Sequence, residues 1–161
     1  MSRSSKRFAV PQGTKKRLVY LLVLAVVAVV LPIPFALSFL RPELIALWVL
    51  FIAYIYSYQV SLILVFFLGL AQGFVEGAVF GAHALALIFI AVSTANVARR
   101  LRGGSEVQRL LWVILMVASH QGLLSWIFLI ADRPSASVAN IVIPALLTAA
   151  FWMPLSRWLK L

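Results

Sequence analysis

Arg41 and Arg99 are separated by 57 residues that hold only two charges, Glu43 and Glu76. A stretch so long and so apolar has no polar face to offer water, and such runs read as membrane-spanning helix. A helix needs about 20 residues to cross the hydrocarbon layer, so this stretch divides into three crossings, and two would be overlong. The same ruler gives one crossing in the 23 residues between Arg17 and Arg41, one in the 22 between Arg109 and Asp132, and one in the 23 between Arg133 and Arg157. The expected architecture is therefore an all-α integral membrane protein of six transmembrane helices. A basic tail, 1–17, precedes a single membrane domain, 18–161.

Charge placement supplies the orientation. The chain has 14 Lys and Arg against 4 Asp and Glu. With both termini cytoplasmic, six crossings leave Arg41 and Arg133 outside and the other twelve basic residues inside, as the positive-inside rule requires. Those inside are Arg3, Lys6, Arg7, Lys15, Lys16 and Arg17, then Arg99, Arg100, Arg102 and Arg109, and finally Arg157 and Lys160. Five or seven crossings divide the charges less cleanly. The basic residues cluster at the ends of apolar runs, where they meet anionic lipid heads. That explains the net charge of +10 without nucleic acid, for which few residues are left outside the bilayer. The chain is expected to cross its membrane several times. The basic start is not followed by a small-residue cleavage site, so the first span is expected to be retained.

Turn chemistry sets the boundaries. The first helix should stop near Leu31, because Pro32 and Pro34 cannot continue it cheaply. Pro34 to Leu40 is expected as an external turn or interfacial segment. Ser57, Tyr58 and Gln59 mark a tight inner turn, Arg99 to Glu106 the main cytoplasmic loop, and Asp132 to Ser135 an outer turn. Connections this short predict that consecutive helices pack as antiparallel neighbours.

Four features could carry function. Gly69, Gly73, Gly77 and Gly81 recur every four residues. Residues at that spacing share one helix face, and in lipid such a face lets two backbones approach closely. The face could receive another helix of this chain, or a partner's helix or ligand. Arg41-Pro42-Glu43 opens the second span. Pro in the first turn costs no hydrogen bond and Glu suits the positive helix end, while Arg41 could snorkel to the head groups or lie at a partner surface. Glu76, an ionisable group about one turn from the outer boundary, needs a partner; Arg41 and His83 are the candidates, and solvent exposure is the alternative. His120, Gln121 and Ser125 are expected to bridge helices inside the bundle, since a five-residue spacing does not stack His120 on Ser125 for hydrolytic chemistry.

Several classes have no signal. Cysteine is absent, which removes disulfides, iron–sulfur clusters and thiol catalysis. Neither paired carboxylates, metal-ligand spacing nor a phosphate-cradling Gly-Lys loop is present. No cofactor and no enzymatic activity is expected.

The order of features resembles a known family. A basic tail and a first span ending at prolines are followed by Phe39-Leu40-Arg41-Pro42-Glu43-Leu44, similar to the Arg-Pro motif of the MreD family. Phe67-Leu68-Gly69-Leu70, then Glu76-Gly77-Ala78-Val79-Phe80-Gly81-Ala82-His83-Ala84-Leu85, resemble its Gly-rich signature. Arg41, Pro42, Gly69, Gly77, Gly81 and His83 are the positions carried over. The family often has an Asp where this chain has Gly73, so Glu76 is the candidate to replace that carboxylate. The resemblance implies a non-catalytic scaffold subunit of the rod-shape machinery, multi-pass in the bacterial plasma (inner) membrane. Its implied partners are an MreC-like protein and, more widely, the MreB filament, a SEDS glycosyltransferase and a transpeptidase. It also implies a fold similar to the substrate-binding subunits of energy-coupling-factor transporters. The competing reading is a small-solute, vitamin-like binding subunit of a transporter.

Overall fold

A computed structural model describes residues 13–30, 43–134 and 137–159. Among them the regular structure is helical: α1 (Thr14–Val30), α2 (Leu44–Tyr56), α3 (Leu62–Val75), α4 (Ala82–Gly103), α5 (Glu106–Ile130) and α6 (Val138–Leu159), with a short 3-10 turn at Ser57–Gln59. The segment from Leu31 through Arg41 and Pro42 lies outside the described residues, as does Ser135.

The stretch between Arg41 and Arg99 holds three helices, but not in equal thirds. α2 and α3 have 13 and 14 residues, about 20 Å of helix each, against a hydrocarbon layer of about 30 Å. Among the described residues, only α4, α5 and α6 are long and apolar enough to cross a membrane by length and composition. α2 is the central helix, buried without a break from Ile45 to Phe51, as befits a helix that is apolar all round. Its main neighbour is α4, and it also meets α1, α5 and α6. The expectation that consecutive helices pair therefore fails for α2 and α3: the tight 3-10 turn sends α3 outward, onto α4.

Contacts fix the helix directions. Gly69 and Gly73 of α3 face Ala84 and His83 of α4. Thr94 of α4 accepts from Trp112 Nε1 of α5. On α2, Phe51 stacks on Trp152 of α6 with centroids 4.2 Å apart. Thr14 Oγ1 donates to the carbonyl of Leu159, which puts the start of α1 beside the end of α6. One end of the bundle thus collects Lys15, Lys16, Arg17, Arg99, Arg100, Arg102, Arg109 and Arg157. The opposite end carries the α3–α4 and α5–α6 turns.

The helix ends follow local chemistry. Ser61, Ser105 and Ser137 each accept a hydrogen bond from the backbone N–H three residues on, satisfying orphan donors of the first turn. The expected loop from Arg99 to Glu106 is mostly helix: α4 runs through Gly103, leaving Gly104 and Ser105 as the link. Two C-termini end alike. Ala78 N–H donates to Gly73 O and Gly77 N–H to Phe74 O, with Gly77 at φ 63°. Arg133 N–H donates to Phe128 O and Asp132 N–H to Leu129 O, with Asp132 at φ 52°. This pattern closes a helix through one left-handed residue. Gly77 therefore terminates α3 and, with Gly81 at φ 82°, belongs to a turn. The four glycines do not share one helix face.

The two kinds of glycine predict different mutational costs. A Cβ on Gly69 would lie 2.4 Å from Ala84 Cα, so Gly69→Ala must push two backbones apart, at about 1–3 kcal/mol. Gly77 has open space around its Cβ position, and Gly77→Ala meets only left-handed strain, about 1–2 kcal/mol. Thermal unfolding in detergent should show the larger drop for Gly69→Ala, and Gly69→Leu should fail to fold while Gly77→Leu does not.

Candidate functional site

The buried stripe of α3 is Val65, Gly69, Gln72 and Gly73, positions that line one face of a helix. Its glycines bring α4 so close that the first turn of α4 sits over the last turn of α3. This places His83, buried, opposite Glu76, which caps the C-terminal end of α3. His83 Nε2 lies 3.2 Å from Glu76 Oε2. Gln72 Nε2 donates to the other carboxylate oxygen at 3.1 Å, an i, i+4 pair along α3. Both oxygens of Glu76 are thus engaged from inside, while the side chain stays 29% exposed toward the end of the bundle.

The polar chain continues inward. The ring of His120, on α5, is 5.8 Å from that of His83 between centroids and is fully buried. Both its nitrogens, His83 Nδ1, Gln72 Oε1 and Ser125 Oγ are buried without a hydrogen-bond partner. Buried polar atoms in this state cost free energy unless something occupies them, and internal water is the ordinary occupant of a polar site. His120 and Ser125 do not bond each other, so no nucleophile–base pair is assembled. Among the described residues no group of three or more His, Asp or Glu converges as a metal site.

A second tie joins three helices. Gln121 Nε2 donates to Glu43 Oε1 at 2.6 Å, and Glu43 N–H donates to Thr148 Oγ1 at 2.9 Å. The start of α2 is thereby held to α5 and α6. Beyond it, Arg133 donates to Gly77 O at 2.9 Å, linking the two helix-terminating turns.

Of the candidate residues, Glu76 and His83 come together directly, and Gly73 lies beside them: a Cβ there would be 3.5 Å from His83 Cδ2. Gly69 is filled by α4. Gly77 and Gly81 shape the turn, flanked by Phe74 and Phe80, each 89% exposed. Arg41 and Pro42 are outside the described residues, so the pairing of Arg41 with Glu76 has no geometry here. Sequence reasoning missed Gln72, although its i, i+4 spacing to Glu76 was a usable signal. It also missed the bond between Glu43 and Gln121, which are 78 residues apart and share no local pattern.

The family model described as rod shape-determining protein MreD matches residues 14–161. No curated protein and no solved structure matches the chain.

The Glu76–His83 contact predicts non-additive mutations. Glu76→Gln and His83→Gln should each destabilise the bundle by about 1–3 kcal/mol, and the double variant should cost less than their sum, because contacting residues couple. A double-mutant cycle from thermal unfolding in detergent measures this; strict additivity would mean that the pair does not interact.

Proposed function

The chain belongs to the MreD family of rod shape-determining bacterial membrane proteins, and from that membership we propose that it is a non-catalytic scaffold subunit of the elongation machinery. In this reading it holds an MreC-like protein and, through it, supports cell-wall synthesis and the regulation of cell shape. The observation that carries the proposal is the family match over residues 14–161. A six-span topology with both termini cytoplasmic belongs to the same reading, as does a helix layout like that of energy-coupling-factor substrate-binding subunits. So does a wider assembly with MreB, a SEDS glycosyltransferase and a transpeptidase.

Packing supports one choice of partner surface over another. The face formed by Gly69 and Gly73 already receives α4, so it has no room for a partner's helix. The turn from Phe74 to Gly81 is the surface that offers anchors: two exposed aromatic rings on either side of a carboxylate held in place by Gln72 and His83. Aromatic side chains dominate binding energy at such surfaces. Arg41 and Pro42, just before Glu43, complete this outer surface in the proposal. Glu76 takes the place of the family's Asp at position 73: a side chain on Gly73 would point at the imidazole of His83, and Glu76 reaches that ring from the next turn. Arg99 and Arg100, exposed on the last turns of α4, face lipid heads or filament-side partners.

Co-purification in detergent with the MreC-like protein of the same bacterium tests this. Phe74→Ala with Phe80→Ala should weaken capture about tenfold, or about 1.4 kcal/mol, with yield unchanged, and Gly73→Asp should restore capture lost in Glu76→Gln. No co-elution, with a vitamin-sized molecule bound instead, would favour the small-solute reading. Topology is testable because the chain has no cysteine. An impermeant thiol reagent on intact cells should label Ala131→Cys and spare Gly103→Cys; the reverse pattern would overturn the orientation.

A further inference from the structure

At the basic end of the bundle, α1 and α6 diverge around an apolar groove of about 230 Å³ lined by Tyr20, Leu21, Leu24, Leu155 and Trp158. Arg17 stands at its mouth. Its guanidinium donates to the carbonyl of Trp158 and lies 5.7 Å from the centre of the Trp158 ring. A guanidinium carries five N–H donors, so the contact with one carbonyl fixes the group and leaves donors for a ligand. Arg157 and Lys16 are exposed on the same end, and neither α1 nor α6 contains an acidic residue.

We propose that this groove is a binding site for one anionic phospholipid, its phosphate on Arg17 and Lys16, which shares the face of Tyr20 four residues on, and an acyl chain along Tyr20, Leu24 and Leu155. The order of the residues carries the argument. On α1, Arg17, Leu21 and Leu24 follow at spacings of four and three, which share one face. Charge therefore comes first and apolar surface begins about one turn, or roughly 5 Å, inward. A phospholipid has the same sequence of groups along its length. A soluble phosphate would use the rim and leave the groove empty, and a zwitterionic lipid would bring its own cation against Arg17 and Lys16. Basic sites between transmembrane helices are suited to anionic head groups. Trp158 and Tyr20 are the amphipathic rings expected at head-group depth. The inference stands apart from the scaffold reading, since it uses neither the outer turn nor any partner.

Native mass spectrometry of the full chain tests it, after detergent exchange with phosphatidylglycerol or phosphatidylethanolamine. A single phosphatidylglycerol adduct should persist under activation that strips phosphatidylethanolamine. Arg17→Gln with Lys16→Gln should weaken retention roughly fivefold per charge, about twenty-fivefold for the pair, and Arg17→Lys should keep most of it. Arg99→Gln with Arg100→Gln, at the same end but off the groove, should leave the adduct in place. Leu24→Trp fills the groove at an exposed position with every charge retained, and should also abolish the adduct. Equal loss in the Arg99 and Arg100 variant would mean diffuse attraction and overturn the site. Full retention in Leu24→Trp, or displacement by glycerol phosphate lacking acyl chains, would overturn the acyl-chain assignment and with it the proposal.

Discussion

Between helices that face lipid there is no water to expel, so association rests on how closely surfaces fit. In this bundle the tightest fit is the crossing of α3 and α4 at Gly69, where a Cβ would fall within 3 Å of the backbone at both His83 and Ala84. Other features depend on it. The crossing delivers His83 to Glu76, seats the turn between them, and fixes which face of α3 remains outward with Ile63, Phe67 and Phe74. Around the central α2, aromatic side chains complete the fit. Trp48 Nε1 donates to Leu18 O, while Trp152 stacks on Phe51 and meets Tyr54 edge-on. The indoles thus join α2 to α1 and α6.

The helix count could be read from the charges because a lipid-facing helix tolerates few of them, and Arg99 to Arg109 or Asp132 to Arg133 punctuate the chain as plainly as prolines. Helix lengths could not. The ruler of about 20 residues assumes that each helix meets lipid along its length, whereas α2 is wrapped by its neighbours and is ruled by packing. The glycine spacing was visible but ambiguous for a related reason. Period four continues smoothly from Gly69 to Gly81, yet Gly77 has the left-handed conformation that stops a helix, and no periodicity distinguishes a face from a terminator. The contact of Glu76 with His83 was legible as a need for a partner. The role of Gln72 follows from spacing, and the depth of His120 follows only from the packing of α4 on α5.

The candidate site is a held carboxylate: Glu76 meets Gln72 and His83 on its inner side and keeps an exposed flank, an arrangement that fixes where the carboxylate stands. That suits a surface read by another protein.

The burial of α2 has a consequence for how the chain is made. This helix is apolar all round, is only 13 residues long, and emerges from the ribosome before α4, α5 and α6, which supply most of its surroundings. With α1 alone beside it, it lacks the neighbours that bury Ile45 to Phe51, and Phe51 waits for Trp152, about a hundred residues later in synthesis. The core is therefore completed from the C-terminal side. A chain truncated before α6 would lack not a peripheral helix but the last wall of its centre, and a membrane quality-control protease would meet it as an open bundle.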